Sequence, residues 1–250
     1  MRLKRFIKKY FKQGNCCVTG LRGTGKDTLF ANVTARAGEP YISNVDYQNK
    51  NPYIPLNLQC WDIKNNFDNF ISGNIIPYEY PYPDHYDYYV SDCGVYFPAQ
   101  DFDKIQRKYP NMANFQALSR HLGACNVHIN TQNLNRVWDK IREQSDTYIM
   151  CEKCWYIPRL IFRNRPKWII QVVTVYDNYD ACIKRVKPFK PLRVPLFNKN
   201  GQRELILNSN EVYKRDFEER NGNVKRILLI YKNKSNYDTR LFKSLLKGGI

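Results

Sequence analysis

Short apolar runs alternate with amphipathic stretches along the first two thirds of the chain. Apolar runs of strand length lie at residues 15–19, 41–43, 54–59, 88–91, 126–130, 148–150 and 168–175. Apolar residues recur at helical spacing at residues 1–12, 26–36, 114–122 and 134–143. Strands that alternate with helices predict an α/β fold in which a mostly parallel central sheet carries helices on both faces.

The pattern changes after about residue 181. Apolar runs at 194–197 and 204–207 flank Asn200–Gly201. An Asn-Gly pair between two such runs predicts a β-hairpin. A helix at 210–219 and a strand at 226–231 are predicted after it. We therefore treat residues 181–250 as a C-terminal extension of a core domain at residues 15–180.

The core domain is preceded by a basic amphipathic helix at residues 1–14. Its apolar residues recur at helical spacing, and basic residues occupy the other face. The apolar residues are Leu3, Phe6, Ile7, Tyr10 and Phe11. Two interpretations are open. The helix either lies on a membrane or a partner, or packs its apolar stripe on its own domain.

Net charge is concentrated at the two ends of the 250-residue chain. Of the total of +17, residues 1–14 carry +6 and residues 181–250 carry +11, while residues 15–180 are neutral. Such basic ends suggest contact with a polyanion, either nucleic acid or an anionic membrane surface, or serve only solubility. No apolar run reaches membrane-spanning length and no signal peptide is evident. We expect a cytoplasmic protein with reduced thiols, with contact at the inner face of the cell membrane left open.

A glycine-rich loop follows the first core strand and precedes a helix, the context that a phosphate-binding P-loop requires. Glycine permits the backbone angles with which several N–H groups surround a phosphate, and the helix N-terminus favours the same anion. The predicted nucleotide-binding residues are Gly20, Gly23, Thr24, Gly25, Lys26, Asp27 and Thr28. The usual Mg²⁺-binding hydroxyl after the lysine is replaced by Asp27. Either Asp27 or Thr28 is therefore the predicted metal ligand in the loop.

The apolar run at 88–91 ends at Asp92, which is the Walker B arrangement of a strand followed by an acidic metal ligand. Many ATPases place a glutamate next, where it activates the attacking water. Cys93 stands there instead, so we expect slow hydrolysis, and we expect a glutamate at this position to speed it. The alternative is that Asp92 only caps the strand.

The third motif covers residues 119–133 and contains Arg120 together with Gln132, which follows the strand at 126–130. A glutamine at a strand end can orient water beside a γ-phosphate. From residue 15 to residue 157, the order of these motifs resembles the zonular occludens toxin-like family, which includes filamentous-phage assembly ATPases. That family resembles the HerA–FtsK branch of RecA-like P-loop NTPases.

This resemblance implies a RecA-like ATPase that uses ATP and Mg²⁺ for DNA packaging, extrusion or virion assembly of a phage or mobile element. It implies a homo-oligomeric ring, in which Arg120 acts on the nucleotide of a neighbouring subunit, and single-stranded DNA as a partner. Asp92 and Gln132 take the roles of Walker B acid and sensor glutamine. The alternatives are a phage-type deoxynucleoside monophosphate kinase, or a nucleotide-dependent binding module with little hydrolysis.

Two further patterns carry weaker hypotheses. Cys151 and Cys154 have metal-ligand spacing, but no second pair completes a zinc site, so we interpret them as isolated thiols. The tyrosine-rich stretch at residues 78–89 is predicted to be a loop. It either stacks on unpaired bases or packs on its own domain.

Overall fold

A computed structural model describes residues 1–38, 40–55, 87–93, 126–137, 139–158, 166–192 and 202–237. Its helices in these ranges are α1 (Leu3–Tyr10), α2 (Lys26–Ala37), a 3₁₀ helix (Leu134–Arg136), α3 (Asp139–Arg142), α4 (Tyr179–Ile183) and α5 (Gln202–Asn221). The strands are β1 (Cys16–Thr19), β2 (Tyr41–Ser43), β3 (Tyr53–Pro55), β4 (Tyr88–Val90), β5 (Val127–Thr131), β6 (Thr147–Pro158), β7 (Pro166–Tyr176) and β8 (Val224–Lys232).

These strands form one mixed sheet in the order β3-β2-β4-β5-β1-β6-β7-β8. Every pair from β3 to β6 is parallel, whereas β6–β7 and β7–β8 are antiparallel. The predicted mostly parallel sheet is therefore confirmed. β1, which leads into the glycine-rich loop, is separated by β5 from β4, which leads into Asp92.

Helices pack on both faces of the sheet, as predicted. α1 and α2 bury apolar residues such as Phe6 and Phe30 on one face. The opposite face is covered by α3 and α4, with Phe217 of α5 packed against the same cluster. Within α1, Leu3, Phe6 and Ile7 are buried. The apolar stripe of the N-terminal helix therefore packs on its own domain, which decides between the two interpretations left open above.

We call β6, β7 and β8 the antiparallel wing. β6 makes its last pair with β1 at Met150 and continues for eight residues to Pro158, about 26 Å further at the usual rise per residue. The strand predicted at 226–231 is present within β8, and it is hydrogen-bonded along β7. Part of the predicted basic extension is thus an edge strand of the central sheet.

One element was predicted wrongly. Residues 204–207, assigned above to the second strand of a hairpin, lie inside α5. Glu204, Leu205 and Leu207 favour helix, and here that propensity outweighs the Asn-Gly turn signal. The first predicted hairpin strand at 194–197, the predicted helix at 114–122 and the tyrosine-rich stretch up to residue 86 lie outside the described residues. The predicted helix at 134–143 is present as the 3₁₀ helix and α3. Among the described helices, none has the length and apolarity to cross a membrane.

Candidate functional site

The glycine-rich loop has a backbone that only glycine adopts easily. Gly20, Gly23 and Gly25 all have positive φ, at 145°, 84° and 85°. A Cβ at Gly20 would lie 2.4 Å from the Cys151 carbonyl oxygen, and one at Gly25 would lie 2.7 Å from Cys154 Sγ. Conformation therefore favours glycine at all three positions, and space requires it at Gly20 and Gly25. The loop rests directly on β6.

A buried glutamine on β7 is hydrogen-bonded to the backbone of the glycine-rich loop. Gln171 Nε2 donates hydrogen bonds to the carbonyl oxygens of Thr24, at 3.2 Å, and Gly25, at 3.0 Å. Its Oε1 accepts a bond of 2.9 Å from the Tyr231 hydroxyl on β8. Gln171 is fully buried, and both the nitrogen and the oxygen of its amide are hydrogen-bonded. Its side chain therefore supports the loop without contact with water. Sequence reasoning missed it, although a lone glutamine inside the apolar run 168–175 is a detectable signal.

Lys26 folds back over the loop that precedes it. Its Nζ donates to the carbonyl oxygens of Gly20, at 2.9 Å, and Leu21, at 3.2 Å. The side chain is nearly buried at the first position of α2. A cation at the N-terminus of a helix favours the binding of an anion there.

The Asp27 carboxylate lies at the centre of a polar network that joins the P-loop to the ends of two strands. Its Oδ1 accepts hydrogen bonds from Ser91 Oγ, at 2.6 Å, and Asn130 Nδ2, at 2.8 Å. Asn130 Oδ1 in turn accepts a bond of 2.9 Å from the backbone N–H of Asp92. The P-loop and the ends of β4 and β5 are therefore tied together around one carboxylate. Ser91 and Asn130 are site residues that the sequence analysis did not identify.

Asp92 lies at the surface beside this network. Its φ of 48° is unusual for a residue other than glycine, although aspartate tolerates it better than most. Burial raises the pKa of Asp92, the Asp27 carboxylate raises it further, and the Lys26 ammonium opposes both effects. Two carboxylates that repel each other beside a phosphate loop suit a divalent cation, because Mg²⁺ is usually held by one or two carboxylates together with phosphate oxygens.

Thr28 is engaged elsewhere. Its hydroxyl lies 2.8 Å from the Tyr156 hydroxyl of β6, and its side chain is buried. Thr24 Oγ1 donates within the loop, to the Leu21 carbonyl oxygen at 2.7 Å. Arg120 lies outside the described residues. In the described ranges, no three His, Cys, Asp or Glu side chains converge as a ready metal site, and this includes Cys151 and Cys154.

Cys93 does not occupy the position that the sequence suggested. Its side chain is fully buried in the apolar cluster beneath α3 and α4, and burial raises the pKa of its thiol far above the ordinary value. The position where many ATPases carry a catalytic glutamate therefore points into the core. The buried position removes the geometric basis for the expectation that a glutamate here would speed hydrolysis, because its carboxylate would be buried away from the loop.

A cavity of about 1010 Å³ adjoins the first residues of the P-loop. Gln132 is exposed and lines it, together with Gly20 and Thr24. Lys26, Asp27 and Asp92 are not among the lining residues, so the cavity lies beside the carboxylate network and not around it. Its basic lining residues are Arg136, Arg185, Lys187, Lys190 and Arg226.

The acidic lining residue of this cavity is already paired. Glu152 forms a salt bridge with Arg226 and accepts a hydrogen bond from Thr174. The other basic lining residues therefore form a positively charged wall of the cavity next to the P-loop. These residues are Arg136, Arg185, Lys187 and Lys190. Such a wall attracts anions into the cavity.

No protein-family model matches the chain, and no curated protein matches it either. Similar solved structures include the N-terminal domain of zonular occludens toxin from Neisseria meningitidis, at 12% identity and a TM-score of 0.42, over 92% of this chain and 97% of that chain. They also include the genome-packaging NTPase B204 of Sulfolobus turreted icosahedral virus 2 with ATP-gammaS, at 13% identity and 0.38, over 66% and 92%. The pCW3 conjugation coupling protein TcpA matches at 10% identity and 0.32, over 56% and 49%.

The family that the motifs resemble is thus represented among the similar structures. Similarity at this level describes the fold at most.

Proposed function

We propose that the chain is a RecA-like P-loop ATPase that binds MgATP and acts on single-stranded DNA as a homo-oligomer, in the packaging, extrusion or virion assembly of a phage or mobile element. One observation carries the nucleotide part of this proposal. A glycine loop with positive φ angles presents Lys26 beside a network that joins Asp27 and Asp92.

Asp27 and Asp92 are the proposed metal-holding residues. Thr28 is less suited, since its hydroxyl is bonded to Tyr156. Bound Mg²⁺ would neutralise phosphate charge during hydrolysis. Asp27→Asn should therefore weaken the Mg²⁺ dependence of ATP binding while it keeps an acceptor for Ser91. Thr28→Val should leave that dependence unchanged. The reverse pattern in a magnesium titration would reassign the ligand.

Removal of the loop lysine tests nucleotide binding most directly. Lys26→Ala removes charge-assisted hydrogen bonds to phosphate, each worth about 1.5–3 kcal/mol, so ATP affinity should fall by about 10- to 100-fold. Arg22→Ala is the matched control, because Arg22 is an exposed cation of the same loop and should matter little. Calorimetry with both folded variants makes the comparison. Equal ATP affinities of wild type and Lys26→Ala would end the P-loop interpretation.

The wall formed by Arg136, Arg185, Lys187 and Lys190 supports the nucleic-acid part of the proposal, since contacts to phosphate dominate non-specific affinity for DNA. Release of phosphate from ATP that is stimulated by single-stranded DNA is the expected result. Transfer of phosphate from ATP to a deoxynucleoside monophosphate would identify a kinase instead. ATP binding with neither activity would identify a nucleotide-dependent binding module. We also propose that Arg120 acts on the nucleotide of a neighbouring subunit and that the protein is cytoplasmic.

A further inference from the structure

One carboxylate beside the P-loop, that of Glu152, has no part in the nucleotide and metal binding proposed above. Hydrolysis is helped by a group that takes a proton from the attacking water. Cys93 is buried in the apolar core, and Asp27 and Asp92 are assigned to the metal. Gln132 lines the cavity, but an amide is not a base. Among the described residues that line this cavity, Glu152 has the one carboxylate.

Glu152 lies level with the start of the P-loop. β1 and β6 run parallel, with Thr19 beside Met150. The next residues are also neighbours, because a Cβ at Gly20 would lie 2.4 Å from the Cys151 carbonyl oxygen. Glu152 is one residue further along β6. Its backbone therefore runs beside the first turn of the loop.

Glu152 is also the extra residue of a β-bulge. Its neighbours Cys151 and Lys153 pair with consecutive residues of β7, Val173 and Val172, so Glu152 has no partner of its own on that strand. Bulges are frequent next to active sites, where they redirect a side chain. Here the bulged side chain lines the cavity that adjoins the P-loop.

Two neighbours hold the Glu152 carboxylate in one orientation. Thr174 Oγ1 donates a hydrogen bond to Oε1, and Arg226 donates one to Oε2. A carboxylate has about four acceptor sites, so these two contacts leave room for a water molecule. The side chain of Glu152 is 26% exposed, and solvent reaches it. The carboxylate is therefore both fixed and accessible to water.

The position of Lys26 indicates where the terminal phosphate of bound ATP would lie. Lys26 Nζ lies 2.9 Å from the Gly20 carbonyl oxygen and 3.2 Å from that of Leu21. A phosphate bound by this ammonium group lies close to the same two residues, and both line the cavity. The phosphate and the Glu152 carboxylate therefore border one water-accessible space.

We infer that Glu152 is the general base of ATP hydrolysis, an inference that rests on the proposed function. The oxygen of a water molecule in the cavity forms a bond to the γ-phosphorus, and its proton passes to the Glu152 carboxylate. The bond between the γ-phosphorus and the oxygen that bridges to the β-phosphate breaks, and ADP leaves with its electron pair. Thr174 and Arg226 are positioning residues that orient the base.

Turnover of the full chain at saturating MgATP, without DNA, tests this inference. Glu152→Gln keeps the volume and an acceptor but is not a base, so kcat should fall by about 10²- to 10⁴-fold. The affinity for ATP, measured by calorimetry, should stay near that of the wild type. Arg226→Gln is the matched control, because it breaks the same salt bridge and leaves the carboxylate in place. Its fall in kcat should stay below the lower limit of that range.

A small added carboxylate distinguishes a lost base from a lost contact. Glu152→Ala leaves space in the cavity, so formate should raise the turnover of this variant, and chloride at the same concentration should not. Neither salt should raise the turnover of Arg226→Gln, which keeps its own carboxylate. A purely structural role of Glu152 predicts no difference between the two salts.

The outcomes separate this inference from the proposed function. Each variant is first checked for wild-type thermal unfolding, and the response of Glu152→Ala to formate decides if Glu152→Gln is unstable. A folded Glu152→Gln that hydrolyses ATP at the wild-type rate overturns the general base and leaves the ATPase intact. Equal losses in Glu152→Gln and Arg226→Gln, with no response to formate, overturn it as well. A wild type that binds ATP but releases no phosphate, with or without single-stranded DNA, removes the reaction itself and leaves only nucleotide binding.

Discussion

The parallel half of the sheet and the antiparallel wing use burial in different ways. In β1 to β5, helices cover both faces, so polar groups meet water only where the strands end. Asp27, Ser91, Asn130 and Asp92 gather at that edge. The wing is covered on one side alone. Its buried side supports the P-loop through Gln171, and its other side remains open. Polar chemistry is thus confined to the edge where the strands end, while the open side of the wing is free to make contacts.

The largest expected effect on stability comes from a carboxyl group placed in the apolar interior of the parallel half. Cys93→Glu places a carboxyl group in an apolar cluster and should lower the free energy of unfolding by about 3 kcal/mol or more. Cys93→Ala removes only the thiol, and about 1 kcal/mol is expected. Urea unfolding measures both variants. A stable Cys93→Glu protein with faster ATP turnover would show that residue 93 reaches the nucleotide after all.

Cys93 also shows what a sequence can and cannot predict here. The P-loop and Asp92 were found because glycine spacing and an acid after an apolar strand are local signals. The direction of residue 93 depends on the positive φ of Asp92, which turns the chain. The spacing of residues along the sequence does not predict that turn of the chain.

The partners of Asp27 were missed for a related reason. Ser91 and Asn130 belong to β4 and β5 segments that become neighbours only through the strand order. The parallel sheet itself was predictable from alternating strands and helices. The length of the wing and the helix at 204–207 were not predictable from short-range signals. Tertiary strand pairing determines the length of the wing, and helix propensity outweighs the Asn-Gly turn signal at 204–207.

The second prediction concerns the buried side of the wing. Gln171→Leu keeps the volume but removes the donors to the Thr24 and Gly25 carbonyl oxygens. Unfolding should become easier by about 1–3 kcal/mol, and ATP affinity should fall because the loop loses its support. Tyr231→Phe removes one hydroxyl and leaves the amide on the loop, so its effect should be smaller. Calorimetry and thermal unfolding compare the two. Unchanged ATP affinity in Gln171→Leu would show that β7 is not needed for loop geometry.

The third prediction uses pH to probe the parallel half. His128 on β5 is fully buried, and burial lowers its pKa to about 4, with Lys12 lowering it further and Asp87 opposing both. The unfolded state, with a pKa near 6.5, binds the proton first as pH falls. The stability that comes from neutral His128 is therefore complete above about pH 6.5. It should decrease by about 2 kcal/mol between pH 7.5 and pH 5.

Urea midpoints at the two pH values measure this loss. His128→Phe removes the titrating group and should flatten the dependence over that window, whatever its effect at pH 7.5. A variant that loses stability as steeply as the wild type would place the responsible group elsewhere.

The smallest expected effect on the free energy of unfolding comes from charged side chains at the margin of the wing, where water solvates them. The same side chains should have a clear effect on the binding of DNA. Arg185 and Lys187 are exposed and line the cavity, so Arg185→Gln with Lys187→Gln should change the free energy of unfolding by no more than about 0.5 kcal/mol. If both contact phosphates of single-stranded DNA, the log–log dependence of affinity on salt should become shallower by about 1.4, at roughly 0.7 for each contact. Because phosphate contacts carry no base information, affinity should fall equally for all sequences.

Arg215→Gln with Arg220→Gln on α5 removes the same charge away from the cavity and should leave the slope near that of the wild type. Fluorescence anisotropy across a salt series measures all three proteins. If both double variants flatten the slope equally, the DNA responds to net charge alone, and the cavity wall is not its binding site.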